Sequence, residues 1–342
     1  MAQSKDQPQQ IKLGEFNLIA DYFAPLAKVP GALGLLDDGA IVSINPGEEL
    51  ITTTDMLISG VHFLETAGPE QIATRLLAVN VSDLAAMGAT PLGYLLVTAL
   101  TPAQDGDWLS RFAKRLDRDQ TRYGMTLLGG DTVATPGPLC LTVTAFGTVP
   151  AGSALKRSMA RVGDQIYVSG TLGDSALGLK ALQGDLEGDL PDLDQHHRDF
   201  LVDRFKNPQP QYELGPSLRG IAGGIADISD GFVADLSHIC AASGVGAEVL
   251  ADQVPLSAAA RAVIDCTPSS FTTILTTILT GGDDYELVFT ALPESQGQIA
   301  HIAASLGLNL TPVGTITAGS GVTVIDANQN VIPLKTIGYK HF

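Results

Sequence analysis

Carboxylates occupy unusual places in this chain. Asp37-Asp38 precede Gly39, Thr52-Thr53-Thr54 run into Asp55, and Asp83 lies within an apolar helical stretch. Asp131 follows Gly129-Gly130, while Asp227-Ile228-Ser229-Asp230-Gly231 closes a β-rich stretch. Gly281-Gly282-Asp283-Asp284-Tyr285-Glu286 opens another. Surface acids ordinarily gather on solvated faces, but each of these stands beside glycine or hydroxyl residues at the edge of an apolar element. An Asp-Gly turn or an Asp helix cap accounts for any one of them alone. Six such groups in one chain are harder to dismiss as turns and caps. Asp83 is the most telling, because a charge beside Val79 and Leu84 is costly unless paired or metal-bound.

Carboxylates and hydroxyls are hard oxygen ligands, suited to Mg²⁺, Mn²⁺ or Ca²⁺ and not to zinc or copper. Magnesium takes one or two carboxylates and fills its other positions with water and phosphate oxygens. A many-acid site therefore points to several metal ions bridging to a polyphosphate. The neighbouring glycines let backbone N–H groups approach phosphate closely. Arg157 is a candidate for bidentate phosphate contact, and equally an ordinary surface arginine.

The charge balance fits that chemistry and excludes others. Against 37 acidic residues stand 20 Lys and Arg, for a net charge of −17. No basic face is left for a phosphate backbone or an anionic bilayer, so neither nucleic acid nor membrane is an expected partner. An anionic substrate would need positive charge from metals. Three scattered cysteines, a polar N-terminus and short apolar runs lead us to expect a reduced, cytoplasmic protein. The chain has no Gly-Lys dipeptide for a P-loop, no G-x-G-x-x-G and no G-x-S-x-G. His197-Arg198-Asp199 imitates a kinase catalytic loop, but position 204 is Arg where Asn is required.

At 342 residues with 45% hydrophobic composition, the chain is long enough for two cores. Residues 1–13 read as a disordered tail. Helices are expected at about 14–27, 69–87, 108–123, 174–183, 197–206, 232–243 and 297–306. Strands are expected at 50–54, 92–100, 139–149, 165–169, 225–228, 286–290 and 312–316. The acidic segment 184–195 reads as a loop. A shift near residue 150 predicts two α/β or α+β domains, 14–150 and 151–342.

The motifs, taken in order, resemble a known family. Gly14-Glu15-Phe16, Leu36-Asp37-Asp38, Thr53-Thr54-Asp55, Gly60-Val61-His62-Phe63 and the run from Ala78 to Gly88 come first. Leu128-Gly129-Gly130-Asp131-Thr132, Arg157-Ser158, the Asp227 and Gly281 motifs and Gly338-Tyr339-Lys340-His341-Phe342 follow. This set resembles the bacterial thiamine-monophosphate kinases from Gly14 to Phe342, and the Asn80-to-Gly88 run is its most specific part. The resemblance implies phosphorylation of thiamine monophosphate by ATP, without a phosphoenzyme. It also implies the two-domain α+β fold of the aminoimidazole-ribonucleotide synthetase superfamily, dimerising through the N-terminal domain's sheet. Carried over by motif, Asp38, Thr53, Thr54, Asp55, Asp83, Asp131, Asp227 and Asp230 would hold several magnesium ions. Asp38, Asp83, Asp131 and Asp230 would be central to catalysis. Gly130, Asp131, Arg157 and Ser229 would contact ATP, and His62, Asp283 and Tyr339 would contact thiamine monophosphate.

Two departures stand out. Leu36 and Gly39 flank the Asp-Asp pair where the family often has Gly and Ala. Position 283 is Asp where Glu is frequent, which shortens its reach. Among superfamily relatives, the selenide dikinase needs an early cysteine, and no cysteine precedes Cys140 here. The hydrogenase-maturation protein relies on a C-terminal cysteine, and this chain ends in Phe342. The aminoimidazole-ribonucleotide synthetase itself is disfavoured by the His62 and Tyr339 motifs. A reading from another class is an acidic protein that binds divalent cations without catalysis.

Overall fold

The structure, a computed structural model, describes residues 14–184, 193–266, 271–334 and 336–339. The expected tail 1–13, most of the acidic loop 184–195 and Lys340-His341-Phe342 lie outside the described residues.

The N-terminal segment opens with helical turns, α1 (Glu15–Leu18), a π turn (Ile19–Phe23) and a 3-10 turn (Ala24–Leu26), in place of one continuous helix. Pro25 lacks the N–H that would carry the ladder on. Strand β1 (Glu48–Ile58) follows, then helix α2 (Pro69–Ala86), β2 (Thr90–Leu100), α3 (Gly106–Tyr123), β3 (Leu127–Ala134) and β4 (Cys140–Pro150). The strands form a sheet in the order β1-β4-β2-β3, antiparallel except for the β2–β3 pair.

One face of this sheet is packed. Leu57, Leu96, Leu141, Val143 and Ala145 meet Leu76 and Leu77 of α2 and Phe112 and Leu116 of α3 in one core. The other face carries Thr52, Thr54, Met56, Val97 and Val133, all exposed. Helix α3 is amphipathic, begins at the Asp105 cap on Trp108 N–H, and stops at left-handed Gly124. Helix α2 differs, being buried almost all round from Pro69 to Ala85. It is sandwiched between the first sheet and the elements that follow.

Those elements are β5 (Gln165–Ser169), α4 (Asp174–Gln183), α5 (Gln195–Lys206), α6 (Leu214–Ser217) and β6 (Ala222–Asp227). Next come α7 (Phe232–Ser243), β7 (Gly246–Leu250), α8 (Ala258–Cys266) and α9 (Phe271–Thr280). Strand β8 (Leu287–Ala291), α10 (Gln296–Leu306), β9 (Leu310–Thr317) and β10 (Gly321–Ile325) complete the chain. Their sheet runs β10-β7-β9-β5-β8-β6, antiparallel but for the β10–β7 pair. Its own core gathers Val168, Ile228, Phe232, Ile239, Ile278 and Val313.

A third cluster crosses between the two sheets, with Ala85 of α2 packed among Leu155, Leu214, Leu218, Ile225 and Phe289. Here Gly215 is required by close approach, since a Cβ would lie 2.0 Å from the Ala85 carbonyl oxygen. Arg219 adds a polar tie, donating through Nε to the Gly88 carbonyl at 2.7 Å. The mixed two-sheet architecture is the expected α+β fold. Asp55 corrects one detail: it sits within an eleven-residue strand and does not end it.

Candidate active site

The seam between the sheets gathers carboxylates. On β1, alternation turns Thr53 and Asp55 toward α2, where Thr53 Oγ1 donates to Asp83 Oδ2 at 2.5 Å. From the second sheet, Asp227 at the end of β6 accepts from Ser82 Oγ through Oδ2 at 2.8 Å. Residues 53, 55, 82, 83 and 227 thus converge from two strands and one helix, because α2 runs between the sheets.

Their electrostatics are strained. Burial, with the Asp83 charge adding to it, pushes the Asp55 carboxyl up to about 6. Burial raises Asp83, opposed by the Thr53 hydroxyl and the charge of Arg157. Fully buried Asp227 is held well above the usual carboxylate range, first by desolvation and then by Asp83 and Asp235. Arg157, on the turn Arg157–Met159, also opposes the rise at Asp227 and Asp235. One exposed guanidinium faces several buried acids, so the cluster is short of positive charge. Its donors are all oxygen, which fits a hard divalent cation.

The loop after β6 extends the site. Asp235, on the first turn of α7, accepts from the backbone N–H groups of Ser229, Asp230 and Gly231 at 3.0, 3.1 and 3.2 Å, all through Oδ2. That pins the Ser229-Asp230-Gly231 turn. Burial and then the Asp230 charge push Asp235 up to about 7. Asp230, Asp235 and His238 bring one ligand atom each within 4.8 Å of one another.

Beside the carboxylates opens a cavity of about 750 Å³. Asp55, Ser229 and Asp230 line it, as do His62, Asp283 and Tyr339. His62 Nδ1 accepts from the Ile58 N–H at 3.1 Å, which leaves Nε2 as the donor of the neutral ring. Tyr339 N–H donates to the Asp230 carbonyl at 2.9 Å, seating the C-terminal segment at the cavity. The Gly282 loop packs closely, since a Cβ there would stand 2.3 Å from the Ser229 carbonyl oxygen. Asp283 and Tyr285 both have left-handed backbones, with φ of 72° and 52°. Such conformations cost of order 1–3 kcal/mol each and persist where their surroundings impose them. They turn Asp283 to the cavity, while Asp284 and Glu286 face inward. Asp284 accepts from Gly173 N–H at 2.7 Å, and Glu286 takes bonds from Ser169, Arg204 and Gln211.

Other expected residues fall elsewhere. Asp38 is exposed in the segment leading to β1, with no hydrogen bond or ion pair to the cluster among the described residues. Thr54 turns to the opposite face of β1 from Asp55, its hydroxyl donating to the Val143 carbonyl at 3.0 Å. Asp131 is exposed and shares the open sheet face with its register partner Val97. Gly130 tolerates no side chain, because a Cβ would lie 1.7 Å from the Leu96 carbonyl oxygen. The structure also brings in two residues that the sequence reading passed over, Asp235 and Arg75. Arg75 of α2 is 2% exposed, lines the cavity and bonds Asp283. A lone charge inside an apolar helix, the signal that marked Asp83, marks both of them.

The fold and site define a class, and comparison with known proteins agrees. Residues 36–149 match the AIR synthase related protein N-terminal domain, and residues 161–327 match its C-terminal domain. The chain is 40% identical to the thiamine-monophosphate kinase of Salmonella typhimurium over 96% of this chain and 98% of that one. The crystal structure of thiamine-monophosphate kinase from Stenotrophomonas maltophilia K279a superposes with a TM-score of 0.76 at 41% identity, covering 84% and 89% of the two chains. AaThiL complexed with AMPPCP and TMP gives a TM-score of 0.75 at 30% identity, covering 96% and 97%. The chain belongs to the AIR synthase related family and, within it, to the thiamine-monophosphate kinases.

The raised carboxyls predict how the metal-free protein responds to pH. Asp55 ordinarily titrates at 3.8 and in the folded chain at about 6, so the fold favours its protonated form. That contribution is full below about pH 3.8 and is lost as pH rises through about 6. The difference is about 3 kcal/mol. Asp235 acts in the same sense, with its loss centred at about 7. The melting temperature in chelator is therefore expected to be higher at pH 5.5 than at pH 8, and Asp55→Asn is expected to flatten the slope. A metal-free melting temperature that climbed from pH 5.5 to 8 would contradict this electrostatic reading.

Proposed function

We propose that this protein transfers the γ-phosphoryl group of ATP to the phosphate of thiamine monophosphate, giving thiamine diphosphate. The observation that carries the reading is that one cavity is lined both by His62, Asp283 and Tyr339 and by Asp55, Ser229 and Asp230. A substrate bound in the cavity would present its phosphate at the carboxylate cluster. The names of its relatives, and the pairing of AMPPCP with TMP in one of them, support the same reading.

The acceptor phosphate is already anionic, so no strong general base is needed. The chain's task is positioning and charge balance. Asp55, Asp83 and Asp227, with Thr53 and Asp230, would hold magnesium, whereas Thr54 and Asp131 on the open sheet face and Asp38 on the exposed segment stand apart from that cluster. Bound there, several magnesium ions would neutralise the phosphates during an in-line transfer. Arg157, Gly130 and the hydroxyl of Ser229 would contact ATP. His62 would contact thiamine monophosphate, Asp283 would accept from it, and Tyr339 would offer an aromatic face to a cationic ring. The open face of the first sheet, with Met56, Val97 and Val133 exposed, would be covered by a second copy.

With MgATP, thiamine monophosphate is expected to yield thiamine diphosphate, and free thiamine to be a poor acceptor because it lacks the nucleophilic phosphate. A coupled assay for the diphosphate checks this, and phosphorylation of thiamine alone would sink it. Asp83→Asn keeps the shape and the acceptor for Thr53 but removes a charge. Turnover is expected to fall at least about a hundredfold, while the metal-free melting temperature stays level or rises. Loss of stability with near-normal turnover per folded molecule would instead make Asp83 a structural residue. Light scattering at micromolar concentration is expected to give a dimer, and a fully active monomer would remove the sheet-face interface.

A further inference from the structure

Arg75 is the most deeply buried cation among the described residues, and its partners are all specific. Its Nη1 donates to Asp283 Oδ1 at 2.8 Å and its Nη2 to the Phe205 carbonyl at 2.8 Å. The guanidinium lies over the Phe205 ring, 4.7 Å from its centroid. Tyr285 OH donates to the same Asp283 oxygen at 2.9 Å. Burial, with the Asp283 charge, holds that phenol well above its usual range, so it remains a donor. Both bonds therefore fall on Oδ1, and among the described residues none reaches Oδ2. Asp283 lines the cavity with its side chain 30% exposed.

We propose that Arg75 is a positioning residue for substrate recognition: with Tyr285 it occupies Asp283 Oδ1, so that Oδ2 alone is offered to the cavity as acceptor for an N–H donor on the organic end of the substrate. This rests on the function proposed above and specifies how the cavity selects its ligand. The clamp crosses the seam, from α2 to the loop before β8, and ties the left-handed Asp283 and Tyr285 to the first sheet's helix. It also compensates for the short reach of aspartate by fixing its direction. A flexible carboxylate would pair with water or with Lys180, which lines the same cavity, and discrimination for the donor would weaken. A partner lost from such a site weakens binding by about 10- to 100-fold.

Arg75→Gln is expected to raise the KM for thiamine monophosphate about 10- to 100-fold. The KM for ATP and kcat at saturating substrate are expected to change less than about threefold, with melting temperature measured alongside. Arg75→Lys keeps the charge but spans only one of the two acceptors, and should recover part of the loss. Tyr285→Phe keeps the ring, removes one bond to Oδ1 and should shift the same KM in the same direction, so the test survives if Arg75→Gln fails to fold. With Asp283→Asn as partner, the double variant should be no worse than the poorer single one. An unchanged KM for thiamine monophosphate in both Arg75→Lys and Tyr285→Phe, or a loss shared equally with ATP, would overturn the inference. A wild-type protein that makes no thiamine diphosphate would instead overturn the proposed function.

Discussion

Carboxylates from both sheets share a patch of low dielectric along the seam, and the rest of the structure is arranged around that fact. Asp55 and Asp83 belong to the first sheet and its helix, Asp227 to the second, and Ser82 bonds across. Like charges a few ångströms apart at an effective dielectric near 20 repel by several kcal/mol. The chain offsets this locally with Thr53, Ser82 and a shared Arg157, and incompletely, as the raised carboxyls record. Among the described residues the seam therefore carries more carboxylate than cationic groups.

Helix α2 is the element that makes this possible. It is buried along its length because it serves as core for both sheets, with Leu76 and Leu77 facing one and Ala85 the other. A helix in that position can place charged groups where solvent does not reach, and it carries two. Asp83 toward its C-terminal end meets the carboxylate cluster, and Arg75 two turns earlier holds Asp283 in the adjoining cavity. The carboxylate cluster and the cavity are thus spaced along one rigid rod. Strain is concentrated opposite it, in the left-handed Asp283 and Tyr285.

Much of this was legible in the sequence. The apolar spacing from Pro69 to Met87 marked α2, and an aspartate within it could be singled out because its charge has no solvent. The Gly281-to-Glu286 motif pointed at Asp283, although only the backbone shows why Asp284 and Glu286 turn inward. Strand β3 was missed, because Gly129-Gly130 reads as a turn; a parallel neighbour and the close Leu96 carbonyl make it a strand. Helix α9, Phe-Thr-Thr-Ile-Leu-Thr-Thr-Ile-Leu-Thr, was passed over because its threonines weaken helix propensity, and packing of Ile274, Leu275 and Ile278 overrides that. Thr54 was grouped with Thr53 and Asp55 by motif, whereas strand alternation sends it to the other face. Arg75 and Asp235 carry the same signal as Asp83, a charge within an apolar helix.

The central claim is that the seam cluster holds protons in place of cations. Metal binding must then expel those protons, since ligands bind deprotonated. Calorimetric titration of Mg²⁺ with a non-hydrolysable ATP analogue, repeated in buffers of different ionisation enthalpy, counts them directly. At pH 6 the account predicts net proton release exceeding that of the analogue alone, falling toward zero by pH 8.5 and reduced in Asp55→Asn. Binding without excess proton release at pH 6, or release indifferent to Asp55, would contradict it.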